Sequence, residues 1–184
     1  MKSIYILLTN ADTYVSKLIQ FATSDAYTHA SISFDASLQP LYSFARRFSF
    51  VPLPAGLRRE SFKKGFFKRH PEMPCALFEL PVPDAVYDAA KGLVEGMMQE
   101  SFKYRYNVIG LLLCKMNISF PRRRRFFCSQ FIGEILDKSN ALDLPKEPSL
   151  MRPVDYANHP DLMCTYEGDM SGLIQSVNIA SVKI

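Results

Sequence analysis

The 184-residue chain predicts an α+β fold in a single domain spanning residues 1–184. Short apolar runs rich in β-branched and aromatic residues come early and predict strands. The most clearly amphipathic helical segment, 128–140, comes late. Strands and helices do not alternate regularly along the chain, which favours α+β over α/β. The length is enough for one sizeable core.

The first third of the chain predicts three strands and a short helix. Residues 3–8 form a short apolar run typical of a core strand. Residues 13–23 carry apolar side chains at helical spacing. Residues 29–35 alternate strictly between polar and apolar types, which predicts a half-buried strand with His29 on its polar side. After a proline-containing turn, 41–47 is the returning strand of an antiparallel hairpin.

The middle of the chain predicts a loop, a strand and a helix. Residues 48–70 are basic, aromatic and interrupted by proline and glycine, so we expect a long loop with little regular structure. Residues 75–82 predict a further strand. Proline followed by an acidic residue predicts the start of a helix over 84–101.

Two further helices and an extended segment complete the prediction. Residues 104–116 are so apolar that we expect a helix packed inside the protein. Residues 128–140 predict an amphipathic helix whose apolar face carries Phe131, Ile132, Ile135 and Leu136. A final extended segment begins at Cys164.

The cysteines and histidines predict neither a metal site nor a disulfide framework. The four cysteines have no CxxC spacing and the three histidines are far apart, so we expect reduced thiols, no metal and no cofactor. The N-terminus lacks the pattern of a signal peptide, and no apolar run reaches the length of a membrane span. We therefore expect a cytoplasmic protein.

Positive charge is concentrated in the middle of the sequence. Residues 46–69 contain eight Lys/Arg and one Glu, and four consecutive arginines occupy 122–125. Such runs are most often solvated surface. The alternative is a site for an anionic substrate, a lipid head group or nucleic acid.

Cys128 is the residue whose role the sequence leaves most open. It follows two phenylalanines and begins the helix 128–140, where unpaired backbone N–H groups and the helix dipole favour a thiolate. A nucleophilic cysteine needs a base, and His29 is the best candidate. The alternatives are an inert core thiol and a structural histidine.

The strand HASISFD (29–35), followed far downstream by FCSQFIGEIL (127–136), resembles a known pattern. It is similar to the circularly permuted branch of the NlpC-type papain-like superfamily, in which the histidine strand precedes the cysteine helix. KYRYNVIGLL (103–112) resembles the segment ahead of that cysteine. The ending RPVDYANHPDLMCTYEGDM (152–170) resembles the tail of bacterial members.

The resemblance implies a papain-like antiparallel sheet packed against the helix that carries the nucleophile. It implies that Cys128 is the nucleophile, that His29 is the general base and acid, and that the Cys128 N–H helps to hold an oxyanion. Tyr104 would offer a polar group near the site. Arg46 and Arg125, from the two basic segments, would contact an anionic substrate.

One position departs from the family pattern. Many relatives carry Glu, Asp or His on the strand after the catalytic histidine, and aligning the turns places Ser43 there. Ser43 stabilises an imidazolium less than a carboxylate does. Asp35 lies on the polar side of the histidine strand, but six residues at ~3.3 Å each place it about 20 Å from His29. We therefore expect Ser43 to be the third member.

These features predict a cysteine hydrolase or acyltransferase that acts on a small acyl, amide or peptide substrate, with an anionic substrate as one option. A first alternative is a catalytically degenerate member that uses the same cleft for binding. Two others rest on the basic and aromatic segments, which could bind nucleic acid or an anionic membrane surface. Neither is favoured by a recognised motif.

Overall fold

The computed structural model describes residues 1–10, 26–46 and 55–182, and these form a mixed α+β fold, as predicted. The helix predicted over 13–23 lies outside the described residues. The strands are β1 (Lys2–Thr9), β2 (His29–Ser33), β3 (Leu41–Arg46), β4 (Ala55–Glu60), β5 (Pro74–Val82), β6 (Arg105–Tyr106), β7 (Arg125–Phe126) and β8 (Met163–Asp169). The α-helices are α1 (Phe66–Arg69), α2 (Asp84–Gln99), α3 (Val108–Lys115), α4 (Cys128–Lys138), α5 (Pro153–Ala157) and α6 (Met170–Val182).

Six of these strands form one antiparallel sheet in the order β4-β3-β2-β1-β5-β8. β2 pairs with β1 so that His29 lies opposite Thr9, at the end of the ladder. On the other side of β2, β3 pairs with β4 along its full length, which places Glu60 opposite Leu41. Strands β2 and β4 therefore flank β3, and a long side chain on β4 can reach across it toward β2.

Apolar side chains cover both faces of the sheet. On one face, α4 packs its apolar side onto β2 and β3, where Ile32 and Phe44 are fully buried. On the other face, α1 and α6 pack over Leu7, which lies opposite Ser31 in the β1–β2 register. The prediction of a half-buried β2 is therefore wrong. Ser31 and Ser33 are fully buried because a second layer covers the polar side of the strand.

The prediction of an irregular basic loop over 48–70 is also wrong in the part of that segment that the structure describes. Residues 55–60 form β4, which pairs with β3, and residues 66–69 form α1. Residues 47–54 lie outside the description. The glycine in β4 has a packing reason, because a Cβ at Gly56 would lie 2.9 Å from the Tyr104 carbonyl oxygen. Glycine, which usually weakens a strand, here allows two backbones to approach closely.

The helix predicted over 104–116 is shorter and lies nearer the surface than expected. It begins after Asn107, whose side chain accepts a hydrogen bond from the Gly110 N–H at 3.1 Å. Only one side of α3 is buried, and Leu112 and its neighbours on the outer side are exposed. Within the described ranges, the helices are too short or too polar to cross a lipid bilayer.

Candidate active site

Cys128 is the first residue of α4 and points into the protein. Phe127 before it is extended and the helical conformation starts at the cysteine itself, so its N–H belongs to the first turn, where backbone donors lack helical acceptors. The Cys128 Sγ accepts hydrogen bonds from the N–H groups of Ala30 and Ser129. The helix start predicted from the sequence is confirmed.

The Cys128 thiol is buried and also hydrogen-bonded to His29. Burial is the largest influence on its pKa and raises it. The hydrogen bond and positive charge of His29, followed by the two backbone N–H groups, act in the other direction. The balance is a Cys128 pKa below that of an ordinary thiol. A core position and thiolate character, which the sequence presented as alternatives, are thus combined in one residue.

His29 stands at the start of β2 between Cys128 and a carboxylate. Its Nε2 lies 3.0 Å from the Glu60 Oε2, which leaves Nδ1 as the ring nitrogen for the thiol. Burial alone would lower the pKa of His29. The negative charge of Glu60 and the interaction with Cys128 outweigh burial and raise this pKa from 6.5 to about 10. The imidazole is therefore held in its protonated form beside the thiolate.

Glu60 at the end of β4 is the centre of a buried hydrogen-bond cluster. Its Oε2 accepts from the Ser31 hydroxyl at 2.7 Å and from the Ser43 hydroxyl at 2.6 Å, in addition to its contact with His29. Burial raises the pKa of Glu60, but the charge and hydrogen bond of His29 and the two hydroxyl donors lower it from 4.5 to about 2. A buried carboxylate with this many donors stays ionised.

The structure corrects the predicted role of Ser43. We expected Ser43 to accept the second N–H of His29, but it donates to Glu60, and Glu60 contacts the imidazole. Ser43 stands on β3 between the two partners, and the glutamate side chain from β4 spans the distance that a serine from β3 does not. Asp35 is exposed and lies two residues beyond the end of β2.

Glu60 was missed because it lies in the segment assigned to an irregular loop. Its only local signal was that it is the single acidic residue among the eight basic residues of 46–69. That contrast could have marked it as a residue with a specific cationic partner. The β-strand that carries it has little apolar alternation, so the register could not be deduced from the sequence.

A narrow pocket of about 30 Å³ opens beside Cys128. Its walls come from α3, the first turn of α4, the start of α5 and the residues ahead of β2. Two cations, Lys115 and Arg152, take part in the lining. The remaining lining residues are Tyr27, Thr28, Tyr106, Leu111, Cys114, Phe127, Cys128, Ser129 and Pro153. Lys115 and Arg152 therefore place positive charge at the wall of the pocket.

Two of the three residues expected to bind substrate, Tyr104 and Arg125, take other positions. The Tyr104 ring packs edge-on against Phe44, with ring centroids 6.4 Å apart, as part of the core. Arg125 is half-buried in the short β6–β7 ladder, opposite Arg105. Arg46 ends β3, and its side chain lies outside the described residues. In the described part of the chain, Tyr106 rather than Tyr104 lines the pocket.

Tyr156 on α5 contacts the first turn of α4 from the core side. Its buried hydroxyl donates to the Ser129 carbonyl oxygen at 2.7 Å. Burial, followed by the nearby Cys128, raises the pKa of Tyr156 well above 10, so the hydroxyl remains a donor. Gly133 provides the room, because a Cβ there would lie 3.1 Å from the tyrosine oxygen. The turn that carries the thiol is therefore held from the core side.

Cys128, His29 and Glu60 form one hydrogen-bonded series of thiol, imidazole and carboxylate. In proteins this order of groups activates a thiol for attack on an electrophilic carbon. Comparisons of the chain with protein-family models, curated proteins and solved structures returned no significant match.

Proposed function

We propose that this protein is a cysteine hydrolase or acyltransferase that works through an acyl-enzyme on Cys128. The observation that carries the proposal is the hydrogen-bonded series of Cys128, His29 and Glu60, with the thiol at the start of α4. A merely structural core thiol needs neither an imidazolium partner nor a buried carboxylate behind it. Such a pairing is the usual preparation of a thiol nucleophile.

In the proposed reaction, the Cys128 thiolate attacks the carbonyl carbon of an acyl, amide or peptide substrate. The oxyanion that forms is held by N–H groups in the first turn of α4, among which that of Cys128 is available at the helix start. His29 donates its proton to the leaving group as the bond to carbon breaks. His29 then takes a proton from water or another acceptor, which attacks the thioester and releases the Cys128 thiolate beside the protonated His29.

The supporting residues have distinct roles in this proposal. Glu60 orients the imidazole and stabilises its positive charge, and Ser31 and Ser43 hold Glu60 in place. Lys115 and Arg152 favour a substrate with an anionic group near the pocket. The proposed place of action is the cytoplasm, where thiols stay reduced.

The proposed family is the circularly permuted branch of the NlpC-type papain-like superfamily. An antiparallel sheet packed against the helix of Cys128, with the histidine strand earlier in the chain, supports this assignment. The degenerate, non-catalytic alternative was motivated by Ser43 in the third position. The Glu60 carboxylate beside His29 favours the catalytic alternative.

Acylation of Cys128 tests the proposal directly. The protein is incubated with a p-nitrophenyl ester, an acyl thioester and a peptide amide, each also in a form with a carboxylate, then quenched in acid for peptide mass spectrometry. We expect an acyl group on Cys128 and turnover that is lost in Cys128→Ala and in His29→Ala. Cys75→Ala, which removes another buried thiol, is the matched control and should retain activity.

Two negative findings on Cys128 together would contradict the proposal. If no substrate class acylates Cys128, and iodoacetamide at pH 6 labels it no faster than Cys75, the thiol is not activated. The cleft would then serve binding alone. Cys75 is an unreactive reference, because burial, followed by the charge of Asp169, raises its pKa to about 12, so labelling of Cys128 at the same rate would mean that Cys128 has no thiolate character.

A further inference from the structure

Helix α3 exposes an apolar side on the surface of the protein. Four residues at helical spacing are between 44% and 67% exposed: Val108, Ile109, Leu112 and Met116. The opposite side of the helix is buried through Gly110 and Cys114. An amphipathic helix normally turns its apolar side toward the core. Here one apolar side faces the core and a second faces solvent.

The segment after α3 folds back along the helix and enlarges this surface. The Ile118 N–H donates to the Leu113 carbonyl at 2.9 Å, and the Asn107 side chain donates to the Phe120 carbonyl at 3.1 Å. The side chains of Ile118 and Phe120 are 45% and 39% exposed. Six large apolar side chains thus form one exposed patch, the α3 patch, made of Val108, Ile109, Leu112, Met116, Ile118 and Phe120. An apolar cluster of this kind usually marks an interaction site.

The α3 patch lies in a strongly basic stretch of the chain. Residues 101–125 contain seven Lys/Arg and no Asp or Glu. The Arg122 guanidinium lies over the Phe120 ring, 6.0 Å from its centroid, so positive charge directly adjoins the apolar surface. Arg123 and Arg124 beside it are exposed, and Arg124 also pairs with Glu100 at 3.7 Å. Apolar side chains bordered by Lys and Arg are the combination that binds at an anionic bilayer surface.

We propose that the α3 patch docks the protein on a membrane leaflet rich in anionic phospholipid. The apolar side chains enter the boundary between head groups and acyl chains, and Arg122 and Arg123 contact the lipid phosphates. The charge selects lipid over another protein as the occupant, because Arg122 and Arg123 adjoin the patch and form no ion pair among the described residues, whereas the carboxylate of Glu147 contacts Ser119 of this segment.

Docking in this way brings the Cys128 pocket close to the lipid surface. Leu111, Cys114 and Lys115, on the inner side of α3, line that pocket together with Cys128. The inner side of α3 therefore lines the Cys128 pocket, and its outer side forms the α3 patch. Membrane binding does not depend on the chemistry of the thiol, so the two proposals can fail separately.

Vesicle flotation tests the docking proposal with the full chain. Vesicles of phosphatidylcholine alone are compared with vesicles containing about one-third phosphatidylserine, at low and at physiological salt. We expect binding to the anionic vesicles that weakens as salt screens the arginines. Arg122→Gln with Arg123→Gln should reduce the affinity about 25-fold, from roughly fivefold for each basic residue near the surface.

A second pair of substitutions tests the apolar contribution. Ile109→Ser with Leu112→Ser should reduce binding at least tenfold, because both side chains are half exposed and available for lipid. Met163→Ser, on β8, is the matched control, since Met163 is also 50% exposed. It should bind like the wild type. Cys128→Ser should also bind like the wild type.

Three results would overturn the docking proposal. One is no flotation of the wild type with anionic vesicles at low salt. Another is unchanged flotation of the Ile109→Ser, Leu112→Ser variant. The third is a wild-type dimer in light scattering that this variant abolishes, without vesicle binding, because the α3 patch would then cover a second copy of the chain.

Discussion

Replacing the Glu60 carboxylate by an amide, in Glu60→Gln, tests the charge balance of the site. The substitution keeps the shape of the side chain and removes its negative charge. An amide presents one acceptor oxygen and an NH2 group with two donors, whereas the carboxylate oxygen Oε2 of Glu60 accepts from His29, Ser31 and Ser43. Burial already acts to lower the pKa of His29, and the variant removes the charge that opposes it. The pKa of His29 falls, and the pKa of Cys128 rises because its imidazolium partner is lost.

The size of the effect follows from thiolate chemistry. A thiol with an ordinary pKa near 8.5 is only about 0.3% ionised at pH 6. The thiolate supply therefore falls by up to roughly 300-fold. A thiolate of higher pKa is intrinsically more nucleophilic, with a Brønsted slope of about 0.4–0.5, and this offsets part of the loss. We expect Glu60→Gln to slow alkylation of Cys128 at pH 6 by about 10- to 100-fold.

The assay is a time course of iodoacetamide labelling, read for each cysteine by peptide mass spectrometry. Cys75 is the internal reference, since its raised pKa keeps it unreactive. Glu79→Gln is the matched control, because Glu79 is a carboxylate on β5 that contacts Tyr5 rather than the candidate site. If Glu60→Gln labels Cys128 as fast as the wild type does, Glu60 does not sustain the thiolate and the proposed series of groups is wrong.

Three other predictions concern the surroundings of the site. Ser43→Ala removes a hydrogen-bond donor to the buried Glu60 carboxylate, so it should lower the unfolding free energy by about 1.5–3 kcal/mol and raise the Glu60 pKa. Ser33→Ala is the control, because the Ser33 hydroxyl bonds the Pro40 carbonyl, and it should leave Cys128 labelling unchanged. Equal labelling rates of Cys128 in the two variants would contradict a positioning role for Ser43. Stability in urea should fall as pH drops from 4.5 toward the folded Glu60 pKa of about 2, because Glu60 loses its contribution, and should fall on the alkaline side only as pH nears the folded His29 pKa of about 10. Above pH 6.5 the loss from His29 is offset by Cys128, whose lowered pKa gives a contribution that grows as pH rises toward 9. Glu60→Gln should flatten the acid slope, and an unchanged acid slope would exclude the ion pair. Gly133→Ala should destabilise the fold by about 1–3 kcal/mol in thermal melts, because the added Cβ would lie 3.2 Å from Pro148. Gly96→Ala, at a helix position with open space around it, should stabilise the fold by about 0.4–1 kcal/mol. Equal effects of the two substitutions would mean that the tight packing around Gly133 relaxes freely.

The parts of the site that the sequence predicted are those with a local signal. Cys128 begins an amphipathic helix, and His29 begins a strand whose period is visible in seven residues. Both patterns depend on neighbours in the chain, so composition and spacing are enough to find them. The α+β class follows from the same local patterns, summed over the chain.

The missed parts depend on contacts between distant segments. Glu60 acquires its role only because β4 pairs with β3 and the Glu60 side chain crosses to β2. The β4 sequence AGLRRE has no pattern that predicts this pairing. Helix α3 was assigned to the interior because apolar residues are usually buried. The exposed outer side of α3 shows the limit of that rule. Apolar side chains favour contact with another apolar surface, and that surface need not belong to the same chain.

The buried charges at the site are better explained by chemistry than by stability. His29 and Glu60 must both lose most of their hydration to pair where they do, and a buried ion pair seldom stabilises a fold more than apolar residues of similar size. Ser31 and Ser43 add two more buried polar groups to the same cluster. Glu60 is held by the other three, and His29 bonds both Glu60 and Cys128, so the charges of the cluster depend on one another. The clearest effect of that unit outside the cluster is on the pKa of Cys128, through the imidazolium that Glu60 maintains beside the thiol.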